Sequence, residues 1–173
     1  MVAQKLPVKN MNKLYKKTKT ILVVAIAILI TLFVMLVVFT SSQQSLNWYL
    51  SLKLPACLPP DWLFGIIKTT LFILVAASAI IVLFEKKRKK RYYNFAIAFY
   101  LINAVFATLF CVLFFGMKNV LYAFIELPFL IASILLLIWY VYMVNKKASY
   151  LLIPYLAWVI YLSIVTGLIL FYN

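Results

Sequence analysis

The sequence predicts an all-α integral membrane protein, a single domain over 1–173 built as a bundle of five transmembrane helices. Three observations carry that expectation. Of the 173 residues, 68% are hydrophobic, and a mean hydropathy of +1.09 is not that of a soluble domain. Several apolar runs approach or exceed the ~20 residues needed to span hydrocarbon. The 17 Lys and Arg residues gather in short clusters between those runs, which is the pattern that orients membrane proteins. A nucleic-acid partner is therefore not expected, despite the net charge of +14.

Residues 1–19 carry six lysines and no acids, and read as a basic cytoplasmic N-terminus. The apolar run over 20–39 is the first expected span. It is too long for the apolar region of a signal peptide, and the TSSQQS that follows lacks an A-x-A-like cleavage site. Residues 40–61 form the longest segment between apolar runs. They hold Pro55, Pro59 and Pro60, with Trp48 before those prolines and Trp62 just beyond them. A Pro-Pro pair fixes φ and offers no N–H, and tryptophan suits a membrane–water interface. The segment reads as a rigid, lid-like loop on the extracytoplasmic side, where a plain connector would be shorter and richer in small polar residues.

The second span is expected over 62–84, interrupted only by Lys68, and EKKRKKR follows as a cytoplasmic loop that could also meet anionic lipid heads. The third runs over 93–115 and stops at Gly116, and a tight turn containing Lys118 leads to the fourth, 120–144. Pro128 is expected to kink that helix. Asn145, Lys146 and Lys147 connect it to the fifth span, 149–172, whose inner end Pro154 should distort or cap. At ~1.5 Å per residue, a span of this kind reaches about 34 Å, enough to cross a bilayer with modest tilt. With the N-terminus inside, the inner segments hold fourteen Lys/Arg and the outer ones only Lys53 and Lys118, Lys68 lying within a span. The expected location is the plasma membrane, N-terminus cytoplasmic and C-terminus outside.

The chain has no histidine, two cysteines (Cys57, Cys111) and three acids (Asp61, Glu85, Glu126). That removes histidine-based catalysis and leaves too few ligands for a zinc site, so no catalytic or metal residue is assigned. Gly65, Gly116 and Gly167 are evenly spaced, but five spans do not divide into inverted halves.

Ionisable groups inside spans are costly and usually face a cavity or a partner. Lys68 and Glu126 lie at similar depth in the second and fourth spans, and the expectation is an outward-opening pocket across which they interact. Snorkelling of Lys68 and the positive end of the helix carrying Glu126 are the competing explanations. Tyr100 and Asn103 are expected to bridge helices. Ala104 and Thr108 make a small-xxx-small step through which a homodimer could form, though such a step also packs helices within one bundle.

Several motifs together resemble the translocator proteins, also called tryptophan-rich sensory proteins. Trp48-Tyr49, Leu52, Pro55, Pro59-Pro60 and Trp62, followed by Phe64-Gly65, stand at the spacing of that family's first-loop signature. Phe114-Phe115-Gly116 resembles the end of its third helix, and Pro154-Tyr155-Leu156-Ala157-Trp158 its fifth-helix motif. Glu126 stands where the family often has an acidic residue. The chain departs at Ile66-Ile67-Lys68, where a pocket tryptophan looks replaced by a charge, and at Ala107 and Phe110, which stand for the usual Asn and Trp. No base follows the tyrosine of the fifth-helix motif, which disfavours sterol recognition there, and the match from Leu137 through Tyr142 to Lys146 is a weak pattern.

The resemblance implies a compact, often dimeric five-helix bundle with a pocket under the loop. Its ligand would be a porphyrin such as protoporphyrin IX or haem, with no cofactor required. The implied ligand-binding residues are Trp48, Pro55, Pro59, Trp62, Phe64, Gly65, Lys68, Phe110, Glu126, Tyr155 and Trp158. The first expectation is a membrane tetrapyrrole-binding sensor or transporter. Its rivals are an enzyme of light-dependent porphyrin degradation, with Trp158 as its redox or stacking residue, and a structural membrane partner whose lid docks another protein.

Overall fold

The computed structural model describes Leu36, Thr40, residues 45–53, Pro55, 58–85 and 89–173. The expectations for 1–19 and for a first span over 20–39, Leu36 apart, fall outside the described residues, as does Cys57. The described residues form α1 (Leu46–Ser51), α2 (Asp61–Phe84) and α3 (Lys90–Cys111), which a π-helical turn over Val112–Gly116 prolongs. After these come α4 (Val120–Val144), α5 (Lys146–Tyr150) and α6 (Ile153–Tyr172), with no strand among the described residues. Four stretches are long and apolar enough to cross a membrane: Trp62–Phe84, Lys90–Gly116, Val120–Val144 and Lys146–Tyr172. Helices are the necessary form for such runs, because hydrocarbon offers no partner to an open backbone amide.

The helix ends follow from a few residues. Pro60 precedes α2 and its carbonyl accepts the amides of Leu63 and Phe64, while the N–H that proline lacks would have had no partner there anyway. The third span starts at Lys90 rather than 93, because the basic residues extend the helix beyond the apolar run. At its far end the residue with left-handed backbone is Lys118, at φ 53°, not Gly116. Gly116 has only an ordinary contact waiting for a Cβ, 3.7 Å from Val112. Asn119 then caps α4 by accepting the amide of Tyr122 at 3.1 Å. That helix continues through Pro128, whose ring is exposed. The fifth span, expected over 149–172, is two pieces: Asn145 caps α5, accepting the amides of Lys147 and Ala148, and Pro154 then stands in the first turn of α6. Pro154 opens the helix there rather than distorting it.

The four long helices lie in the order α3, α4, α6, α2, with α4 between α3 and α6, and α2 reaching α6 and α5. The face of α4 that carries Leu127, Ile134, Leu137 and Val141 is fully buried. Lipid gives no hydrophobic drive to helix association, so close packing and hydrogen bonds must hold the bundle. Both are present. A Cβ at Gly167 would meet Phe124 at 3.0 Å, a close approach of α6 to α4. Tyr100 donates to Ser78 at 2.7 Å, and Ser78 donates to the carbonyl of Ala148 at 2.7 Å, joining α3, α2 and α5. Tyr100 thus bridges helices as expected, and so does Asn103, whose amide donates to Ser133 of α4 at 3.0 Å. Ala104 packs against the core of its own bundle, and Thr108 donates its hydroxyl to the Ala104 carbonyl at 2.8 Å.

Candidate functional site

The up-and-down course puts residues 45–53, the Gly116–Asn119 turn and the C-terminus at one end, here the lid end. The lid is not a plain loop. Its first part is helix α1, and the Ser45 hydroxyl donates to the carbonyl of Phe115. Trp48 meets Phe114 edge-on at 5.7 Å, and Tyr49 leans on Phe114 and Phe115 at 6.4 and 6.2 Å. Pro55 is buried, Pro59 half-buried, and Leu52 and Leu58 pack on the core below. The Lys53 amide donates to the side-chain oxygen of Asn173 at 3.0 Å, and the Asn173 amide group returns a bond to the Lys53 carbonyl at 3.3 Å. The segment is therefore latched to the third span and to the end of α6.

Beneath it, Phe64 and Lys68 share one face of α2, four residues apart. The half-buried Lys68 places its Nζ 5.7 Å from the ring centre of Phe64 and 5.5 Å from that of Phe115, both within cation–π range. Phe64 meets Trp158 edge-on at 5.2 Å, and Trp158 tilts against Tyr161 at 5.3 Å. On the other side Phe115 meets Phe114 at 4.8 Å, and Phe114 stacks on Phe110 at 5.8 Å. Six rings, with the lysine bridging Phe64 to Phe115, thus make a continuous wall from α6 across α2 to α3.

Deeper in, Glu126 lies on the buried face of α4, 5% exposed, and neither carboxyl oxygen has a hydrogen-bond partner among the described residues. The expected interaction with Lys68 is not formed. Lys68 faces rings instead, and Glu126 stands nearly two turns past the Asn119 cap, beyond the reach of the helix end. Tyr155 is committed elsewhere: it donates to Asn103 at 3.1 Å, Asn103 donates to Ser133 at 3.0 Å, and Ser133 donates to the Leu130 carbonyl at 2.7 Å.

Of the residues named from the sequence, Phe64, Lys68, Phe110 and Trp158 therefore join one aromatic wall, with Trp48 against it from the lid and Pro55 and Pro59 also in the lid. Trp62 and Gly65 do not. They sit on the opposite face of α2 with Ile66, Thr69 and Thr70, along an open groove of about 370 Å³, where Trp62 is 67% exposed. Sequence reasoning missed Phe114, Phe115 and Tyr161. The Phe114-Phe115-Gly116 motif was the available signal for Phe115. The π turn, wider than an α turn, lets both adjacent rings contribute.

Fold and site together define an all-helical integral membrane protein whose latched end covers an aromatic, lysine-bearing interior. Residues 16–171 match the TspO/MBR family, and the chain belongs to that family. It is similar to the tryptophan-rich protein TspO of Chlorobaculum tepidum, 32% identical over 156 residues, or 90% of this chain and 98% of that protein. It is 31% identical to the tryptophan-rich protein TspO of Archaeoglobus fulgidus over 134 residues, 72% of this chain and 79% of that one. It is 30% identical to the tryptophan-rich sensory protein of Cereibacter sphaeroides over 112 residues, 65% of this chain and 68% of that one. The resemblance read from the motifs is thereby borne out.

Proposed function

We propose that this protein binds tetrapyrroles in the membrane as a sensor or transporter, holding the ligand in an outward-opening pocket of the helix bundle under the 40–61 segment. The observation that carries the reading is the Lys68 ammonium between Phe64 and Phe115, with Trp158 edge-on against Phe64. A porphyrin such as protoporphyrin or haem is a planar apolar ring edged by propionates: the rings suit its plane and the ammonium suits a carboxylate. Such a charge-assisted hydrogen bond is worth about 1.5–3 kcal/mol, and ~1.4 kcal/mol is one decade of affinity. Lys68→Met should therefore bind protoporphyrin about tenfold to a hundredfold more weakly by tryptophan quenching. Its affinity for the dimethyl ester, which lacks the anions, should barely change. If Lys68→Met binds both ligands as the parent does, the ammonium has no part in the site. Under illumination, protein-dependent loss of the porphyrin spectrum would instead support the degrading enzyme, and a parent that binds no porphyrin would support the structural partner.

The same proposal includes five spans in one domain, the first over 20–39, in the plasma membrane with the N-terminus cytoplasmic and the C-terminus outside. The fourteen-to-two charge distribution supports it, and so does the Lys53–Asn173 latch, which needs the lid and the C-terminus on one side. Membrane-impermeant thiol reagents added outside should label Cys57 and an Asn173→Cys variant but not Lys89→Cys. Labelling at position 89 overturns the orientation. A homodimer through the third span also belongs to the proposal, and an unchanged dimer fraction in Ala104→Leu would exclude that interface.

A further inference from the structure

The end of the bundle opposite the lid carries more positive charge than the chain balances. Residues 86–91 bring six bases and Lys146 and Lys147 two more, against the single acid Glu85. The Glu85 carboxylate already accepts the Asn145 side-chain amide at 2.7 Å. Of the bases, Lys89, Lys90, Arg91, Lys146 and Lys147 are described, and all five are exposed. Two of them lean on rings: the Lys89 Nζ lies 6.0 Å from the ring centre of Tyr92, and the Lys146 Nζ 5.3 Å from that of Tyr142. Packing sets these bases at one height. Tyr140 of α4 stacks on both Phe95 and Phe99 of α3, at 5.1 and 5.2 Å, which levels the two antiparallel helices. Lys90 precedes Phe95 by five residues and Lys146 follows Tyr140 by six, so at ~1.5 Å per residue both stand about 8–9 Å beyond that stack.

We infer that this end of the α3–α4 seam binds an anionic phospholipid, its phosphate between the starts of α3 and α5 and an acyl chain along the outer face of α4. That face is apolar and open: Trp139, Tyr142 and Met143 share it, three and four residues apart, and Trp139 is 61% exposed. The Lys146–Tyr142 contact joins the bases directly to it. Phe95 is exposed on the α3 side of the same seam. A nucleic acid or an acidic protein would answer the charge and leave those rings uncovered, whereas a phospholipid answers both. Zwitterionic lipids offer the same chains, but their own cation offsets the phosphate, so charge decides between the two. Basic clusters at the ends of membrane helices attract anionic headgroups, each base contributing about fivefold in affinity. The inference concerns the end away from the tetrapyrrole site and does not rest on that reading.

The experiment uses Trp139 as its own reporter. The full chain is reconstituted in phosphatidylcholine vesicles, and phosphatidylglycerol or phosphatidylcholine with brominated acyl chains is added in steps, since bromine quenches a tryptophan that it touches. The signal lost in Trp139→Phe isolates this residue from the other three tryptophans. Brominated phosphatidylglycerol should half-quench Trp139 at a mole fraction about fivefold to thirtyfold below that of brominated phosphatidylcholine, the contribution of one to two bases. Replacing both Lys90→Gln and Lys146→Gln should bring the two lipids to within about twofold, with the melting temperature unchanged because both side chains are exposed. Lys90→Arg with Lys146→Arg should keep the preference, and so should Lys53→Gln, which removes a base at the lid end. Equal quenching by the two lipids in the parent overturns the inference. So does a preference that survives the double glutamine variant, or one that Lys53→Gln abolishes equally, since attraction by net charge needs no site. No tetrapyrrole enters the measurement, so its failure leaves the proposed function untouched.

Discussion

The two ends of the bundle solve the same packing problem differently. At the end opposite the lid, where the helices meet Lys89, Lys146 and Lys147, the polar groups are paired. Ser78 links Tyr100 to the Ala148 carbonyl, Asn145 donates to Glu85 at 2.7 Å, and Ser149 donates to the Ile138 carbonyl at 3.2 Å. Around them Val82, Ala96, Leu137, Val141, Ala148 and Leu152 have no exposed surface. The lid end is aromatic instead, with a lysine between two rings and a carboxyl that has no hydrogen-bond partner among the described residues. Hydrogen bonds between membrane helices average about 0.6 kcal/mol, so the paired end gains modestly from each, while a bare buried polar group costs about 1–3 kcal/mol. One end is built to hold the bundle together. The other keeps groups that weaken it, as the binding site proposed there would.

The sharpest way to break this contrast is to mutate one buried residue from each end and compare signs. Leu137→Ala opens a cavity in the fully buried end and should lower stability by about 2–5 kcal/mol, the usual range for large-to-small changes in a core. Ligand affinity of the folded fraction should not change. Glu126→Leu should act in the opposite direction, because it replaces a carboxyl that lacks a partner with an apolar group of similar size. A gain of roughly 1–3 kcal/mol is expected. Thermal unfolding in one detergent measures both. A destabilised Glu126→Leu would mean that the carboxyl is satisfied in the folded protein, and the two ends would then not differ in kind.

How much of this was legible in the chain depended on how local each signal was. The spans over 62–84 and 120–144 reappear as Asp61–Phe84 and Val120–Val144, because an apolar run bounded by charges fixes a membrane helix by itself. Helix α1 was hidden inside the lid, since six residues carry too little periodicity to stand out from a Pro-rich segment. The site was half legible. The motif residues Trp48, Phe64 and Trp158 converge, but Trp62 and Gly65 share their stretch of sequence and not their face, because each helical residue turns the side chain by about 100°. Phe115 and Tyr161 become neighbours of the site only through contacts between helices. The bare state of Glu126 is likewise a property of the packed bundle, since burial on α4 is set by the helices around it.

The smallest expected effect tests the boundary of the site on α2. Gly65 stands within that helix, and nothing lies within 4 Å of where its Cβ would be. No close approach of α6, of the lid or of a neighbouring ring requires a glycine here. Its neighbours Trp62 and Ile66 are exposed along the open groove, whereas Phe64 and Lys68 turn toward Trp158 and Phe115. Gly65→Ala should therefore stabilise by about 0.5–1 kcal/mol, the ordinary gain from replacing glycine inside a helix. Porphyrin affinity should stay within twofold of the parent. Phe64→Ala, one residue away, should lose binding, since it removes the ring between Trp158 and the Lys68 ammonium. If Gly65→Ala instead weakens binding while leaving the melting temperature raised, the ligand reaches the outer groove of α2, and the division drawn between its two faces is wrong.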